Sequence, residues 1–350
     1  MRELTIGKTR GLQQLSNPNG IFTICAVDHR RSLRRIIDSE NPASVTYQTM
    51  MDFKMDICEV LVPRAGAVLL DIYSASRAIA SNTISGKTGL LISLEAADYD
   101  VHGDDEKFTD FLIDWNVDTV RGMGASAVKT TLYYRPDLPN MASSQLGTVT
   151  KLACDCKQTD IALIVGPRNY IVPELERDQW EYARKKPDLM INTVRQLSML
   201  PIDVLKVEFP ADISYEQDKD RLLYLCQQLD EACRVPWVLL SGGISFDVFL
   251  WQLEIACKAG ASGFLAGRGL WQESAGMTSR WERIKFLKHT ATERLDQLIV
   301  VADSCAKPWH KKLEASNNYD LPDFTADWTQ NYSKVHEKVA ARQVVTPAMN

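Results

Sequence analysis

Eight short runs of aliphatic and β-branched residues recur along the chain, separated by longer amphipathic segments. The runs are IFTICAVD (from Ile21), AVLLD (Ala67), GLLISLE (Gly89) and SAVKTTLYY (Ser126), then IALIVG (Ile161), DVLKVEF (Asp203), PWVLLSGG (Pro236) and ASGFLAGRG (Ala261). The intervening segments, TYQTMMDFKMDICEVLV and DVFLWQLEIACKAG among them, carry apolar residues at helical spacing. Strands alternating with helices build βαβ units around a parallel sheet. Eight such units in a chain of 350 residues predict an α/β fold of the (β/α)8, or TIM, barrel type. No G-x-G-x-x-G follows the first run, which argues against a dinucleotide-binding open sheet. The barrel is expected to occupy residues 1–313 as a single domain. Beyond it, residues 314–350 turn polar and irregular and read as a C-terminal extension. Trp328 and Tyr332 in that extension read as exposed aromatics, which favours a homo-oligomer.

Composition narrows the function. The net charge of −5 gives no basic surface for nucleic acid or anionic membrane. No apolar run approaches the roughly 18–20 residues that span a bilayer, and the first residues, MRELTIGKTRGLQQLSNPNG, have no apolar signal core. A cytoplasmic protein is expected. Of eight cysteines, the one close pair is Cys154 and Cys156, a C-x-C without a second pair at ligand spacing. No metal and no cofactor are expected.

In a barrel of this kind, catalytic groups sit at the C-terminal ends of the strands. The in-strand charges fall there: Asp28, Asp71 and Glu95 end the first three runs, Lys129 lies in the fourth, and Lys206 and Glu208 in the sixth. Any one of them alone is as well explained by a solvated strand end or a buried ion pair. Their convergence at one end of one barrel points to a site. Side chains alternate along a strand, so Val204, Lys206 and Glu208 share one face and Leu205, Val207 and Phe209 the other. The apolar set suits the helices, which turns Lys206 inward. The same parity places Lys129 inward with Ala127 and Thr131. Two lysines in a confined site depress each other's pKa, as does desolvation. Moving a lysine from about 10.4 to about 7 takes roughly 4–5 kcal/mol and leaves a neutral amine able to attack a carbonyl. Lys206 therefore reads as a Schiff-base lysine. The last two runs lead into LSGGI (Ser241, Gly242, Gly243) and AGRGL (Gly267, Arg268). Glycine turns at this corner let backbone N–H groups approach a phosphate, and Arg268 adds a permanent charge.

Taken together, AVDHRRSL, LLD, AVKTTLYY, DVLKVEFP, LLSGGIS and FLAGRGLW resemble, in order and spacing, the class I tagatose-1,6-bisphosphate aldolase family, with the related sulfofructosephosphate aldolases sharing the lysine and arginine motifs. The similarity runs from about residue 10 to residue 313. It implies a (β/α)8 fold and metal-independent cleavage of a phosphorylated ketohexose, to dihydroxyacetone phosphate and glyceraldehyde 3-phosphate in the bisphosphate case. Residue by residue, it implies Lys206 as the Schiff-base lysine and Asp28 and Lys129 as polar wall. Ser241, Arg268 and their glycines become the phosphate end. His29, Arg30, Asp71 and Glu95 are expected in the substrate-binding set from their place at the strand ends, apart from the resemblance. The pattern breaks at two positions. Gly166 stands where the family carries a proton-shuttling glutamate, and His29 replaces the glutamine after the strand-one aspartate. Glu208, on the lysine's own face, is the first expected substitute, with Glu95, Tyr170 or a water behind it. Arg135 and Arg168 are expected near the mouth as readers of a second anion. A sugar-phosphate-binding homologue without turnover, or an aldolase for a sulfo-sugar phosphate, stays open at this stage.

Overall fold

The computed structural model describes residues 2–96, 109, 111, 115–315, 319–320, 328–329 and 332. Each of the eight runs forms a strand: β1 Phe22–Ala26, β2 Ala67–Asp71, β3 Gly89–Ser93, β4 Ala127–Tyr133, β5 Ala162–Arg168, β6 Val204–Val207, β7 Trp237–Leu240 and β8 Gly263–Ala266. They pair in chain order, all parallel, and β1 closes on β8 from Phe22↔Gly263 to Cys25↔Ala266. The structure is thus the expected (β/α)8 barrel.

Alternation along each strand divides the side chains into two apolar sets. Phe22, Ile24, Leu69, Leu91, Ile164, Val204 and Val238 fill the interior. Their neighbours, such as Cys25, Leu70, Ile92, Val128, Leu163 and Leu239, pack against the helices, and so do Leu205, Val207 and Phe209. The inward turn of Lys206 follows from this parity.

The N-terminal mouth of the barrel is shut. Helix α1 (Ile6–Leu15) lies across it and contributes Leu12 and Leu15 to the interior set, joined by Trp309 and Leu313 of helix Trp309–Ala315. Asp160 accepts from the Gly7 and Lys8 amides at 2.8 and 3.2 Å, fixing the first turn of α1. Lys8 Nζ reaches Asp203 Oδ2 at 2.8 Å, so the charge that opens β6 is a buried structural pair. Among the described residues, the cavity lies at the other end.

Helix Trp309–Ala315 crosses the expected boundary at residue 313. Beyond it, Tyr319–Asp320 pairs in parallel with Arg2–Glu3. The Tyr332 hydroxyl donates to Asp160, and the Trp328 and Tyr332 rings lie 5.7 Å apart, both half-buried rather than exposed. The rest of the expected extension lies outside the described residues. No described helix is long and apolar enough to cross a membrane.

Candidate active site

The C-terminal ends of the strands surround a cavity of about 490 Å³. Strand register sets its walls. On β4 and β5, Thr131 pairs with Gly166, and on β5 and β6 the pairing Val165↔Leu205 puts Gly166 next to Lys206. Thr131, Gly166 and Lys206 thus follow one another along a single register line. One inward step below, Ser93 pairs with Lys129. One step above, Tyr133 pairs with Arg168. A Cβ built on Gly166 would lie 3.6 Å from Lys206 Cδ, so residue 166 faces the lysine directly.

The two lysines end in different electrostatic states. Lys129 Nζ donates to Asp28 Oδ2 at 3.0 Å, to Ser93 Oγ at 3.3 Å and to Glu95 Oε1. Burial works against its charge, but the two carboxylates outweigh burial and raise its pKa. Burial likewise works to raise the pKa of Asp28 and of Glu95, and Lys129 holds both carboxyls below their ordinary values. The Lys206 side chain makes no hydrogen bond or ion pair among the described residues. Burial, then the charge on Lys129, lowers its pKa to about 8, against the opposing pull of Asp28 and Glu95. Only one lysine is depressed. Mutual depression, expected from the sequence, gives way because the carboxylates belong to Lys129.

The glycine turns after β7 and β8 meet at one corner. Ser241 Oγ accepts from the Gly267 amide at 3.3 Å, and Arg268 Nη2 donates to the Gly242 carbonyl at 3.0 Å. Gly243 has φ +85°, and a Cβ there would come within 2.7 Å of the guanidinium carbon of Arg268. The bare backbone there lets the guanidinium approach closely, and Gly243, expected in the phosphate set, does not itself line the cavity. A Cβ on Gly267 would fall 2.8 Å from the Ala26 carbonyl oxygen and 2.9 Å from His29 Cε1. The His29 ring stands edge-on to Trp271, 5.1 Å between centroids, and Trp271 Nε1 donates to the Ala26 carbonyl. Burial outweighs the attraction of Asp28 and lowers the His29 pKa to about 3, so its imidazole is neutral at physiological pH.

The sequence profile of the DeoC/LacD family aldolases matches residues 22–273, which span all eight strands and this cavity. The chain belongs to the DeoC/LacD aldolase family. Tagatose 1,6-diphosphate aldolase 2 of Enterococcus faecalis is 28% identical over 340 residues, covering 90% of this chain and 99% of that protein. Tagatose 1,6-diphosphate aldolase of Listeria monocytogenes is 27% identical over 329 residues, covering 89% and 96%. A solved archaeal fructose-1,6-bisphosphate aldolase, its catalytic lysine bound to a carbinolamine intermediate, superposes with a TM-score of 0.52 at 19% identity. That match covers 82% of this chain and 98% of the other, and its weight is in the shared barrel.

In this aldolase Lys206, Lys129, Asp28, His29, Arg30, Glu95, Ser241, Gly242, Gly267 and Arg268 all line the cavity, as the sequence led us to expect. Asp71 does not. The chain turns into helix Ile72–Ala80 directly after it, and its carboxylate caps that helix through the Tyr73 and Ser74 amides while pairing with the fully buried Lys54. Glu208 also stands outside the lining. It lies past the end of β6, where strand parity no longer governs direction, and it faces Arg168 Nη2 at 3.5 Å. Arg135 is buried rather than at the mouth, with its guanidinium held by Glu176, Asp137 and the Tyr170 carbonyl. The Tyr170 hydroxyl donates to Met141 Sδ at 2.9 Å.

Four polar residues of the aldolase cavity escaped the sequence reading: Arg31, Ser32, Arg35 and Tyr133. The first three belong to helix Arg31–Ile37, which begins almost as soon as β1 ends. The basic run HRRSLRR after strand one was the available signal. With Arg30, Arg168 and Arg268 these side chains make the mouth strongly positive. Arg30 is oriented by donating from Nη2 to the Glu95 carbonyl at 2.6 Å. Among the described residues, no three His, Cys, Asp or Glu side chains are gathered as metal ligands.

Proposed function

We propose that this chain is a class I aldolase that cleaves a phosphorylated ketohexose, such as tagatose 1,6-bisphosphate, to dihydroxyacetone phosphate and glyceraldehyde 3-phosphate. The observation that carries the reading is Lys206: an inward lysine without a salt-bridge partner among the described residues, beside a cation, its pKa brought down to about 8. A useful fraction of this amine is neutral near pH 7, and it attacks the C2 carbonyl. Loss of water then leaves an iminium that draws electrons from the C3–C4 bond. Asp28 and Lys129 form the polar wall below, and the Ser241–Gly242 turn with Arg268 suits the phosphate nearest the ketone. Arg30, Arg31 and Arg35 suit the distal phosphate, since guanidinium groups match phosphate oxygens in pairs. The names of the Enterococcus and Listeria relatives support this choice of sugar.

The direct test is release of triose phosphates from tagatose 1,6-bisphosphate after prolonged incubation with EDTA. Release at an unchanged rate is expected. No release, or a loss that zinc or magnesium restores, overturns the reading.

A further inference from the structure

Aldol cleavage needs a base for the hydroxyl on C4, and Gly166 offers none at the position beside Lys206. Other candidates are engaged or misplaced. Glu208 faces Arg168 outside the lining, the Tyr170 hydroxyl serves Met141, and the His29 ring is packed edge-on against Trp271 beside Asp28. Glu95 differs from all of these. Its Oε1 accepts from Lys129 and, at 2.9 Å, from Thr131 Oγ1. Its Oε2 is buried and finds no hydrogen-bond partner among the described residues, and the residue, 4% exposed, lines the cavity. A carboxylate oxygen left in that condition has an unmet need for a donor. The threonine that holds Glu95 shares a register line with Gly166 and Lys206. The carboxylate and the amine therefore flank the gap that the missing side chain leaves.

We propose that Glu95 is the proton-transfer residue of this aldolase, with the reacting hydroxyl of the substrate lying in the gap at Gly166. The proposal rests on the imine at Lys206. In the cleavage direction Glu95 Oε2 takes the proton from the C4 hydroxyl. The O–H electrons become the second bond of the aldehyde, the C3–C4 bond breaks, and its electrons pass through C2 to the iminium nitrogen, giving an enamine. After the aldehyde leaves, the proton on Glu95 returns to C3, and water releases the ketone from Lys206. Lys129 keeps Glu95 ionised between turnovers, and Thr131 fixes its orientation.

Two readouts on purified full-length protein separate this proposal from the one beneath it. The first is borohydride trapping of dihydroxyacetone phosphate on Lys206, which needs the amine and no C4 hydroxyl. The second is condensation of dihydroxyacetone phosphate with glyceraldehyde 3-phosphate, scored as ketose bisphosphate of any configuration. Glu95→Gln keeps size and hydrogen bonding. It is expected to trap like the wild type while condensation falls by about 100-fold or more, the usual scale of a lost general base. Adding Gly166→Glu to Glu95→Gln places a carboxylate beside the lysine, where a new Cβ meets nothing closer than 3.6 Å. The double variant is expected to regain at least about tenfold of the lost rate. A merely structural Glu95, bracing Lys129, would not be replaced from position 166. Wild-type protein that fails to trap removes the imine reading itself. Trapping with unchanged condensation in Glu95→Gln, trapping lost in that variant, wild-type trapping without condensation, or no recovery in the double variant each overturns the role given to Glu95.

Discussion

Lys129 engages both carboxylates of the cavity, Asp28 and Glu95, and leaves Lys206, on the same inner surface, with neither. One lysine is thereby fixed as a cation and the other is held near its titration point. The site obtains its nucleophile by unequal sharing of counter-charges.

The pH dependence follows from that division. With the Lys206 pKa at about 8, the neutral amine declines about tenfold per pH unit below it. Trapping of a keto substrate should rise with pH and level off above about 8. Rates measured across that range check this, and a profile still climbing toward the ordinary lysine value would contradict it.

Lys206 should also weaken the fold. Its pKa is lower folded than unfolded, so the charged form is disfavoured by folding; the penalty is full below about pH 8 and vanishes above the unfolded value of 10.5. At 1.36 kcal/mol per unit the penalty is on the order of 3 kcal/mol. Lys206→Met should therefore raise stability to urea at pH 7, with the advantage fading as pH rises from 8 toward 10.5. Equal stability at pH 7 would mean that the lysine is well solvated.

Lys129→Met has the opposite sign. It leaves Asp28 and Glu95 buried beside each other without their cation, and breaking a buried pair from one side costs about 3–5 kcal/mol. Urea denaturation should show that loss at pH 7 and a smaller one in mild acid, where the carboxyls protonate. A change below about 1 kcal/mol would assign the pairing little weight.

Arg268→Ala removes a charge-assisted contact at the glycine corner, worth about 1.5–3 kcal/mol. Binding of dihydroxyacetone phosphate, followed by calorimetry, should weaken by roughly 10- to 150-fold. An unchanged dissociation constant would place the phosphate among the arginines after β1 instead.

The barrel was legible because each strand announced itself as a short apolar run, and period-two alternation placed Lys206 and Lys129 inward. Direction failed where strands end. Asp71 and Glu208 sit at or past the last paired residue, and there helix capping and a nearby arginine decide where a carboxylate points. Arg135 looked like a rim cation because sequence does not reveal that Glu176, many residues later, folds back to bury it. Partner choice is equally hidden: Lys129, Lys206 and four strand-end carboxylates are visible in the sequence, but their allocation depends on distances between strands. Arg31 and Arg35 lie in a basic run that sequence alone does not distinguish from a solvated helix face, and the short link from β1 brings it over the cavity.

Every later step depends on the imine at Lys206, and reductive trapping captures that imine before any bond in the sugar breaks. Protein incubated with dihydroxyacetone phosphate and borohydride, then digested and mapped by mass spectrometry, should carry the reduced adduct on the peptide containing Lys206, with the adduct absent from Lys206→Met. An adduct on Lys129 or elsewhere, or no adduct at all, would contradict a Schiff base at Lys206.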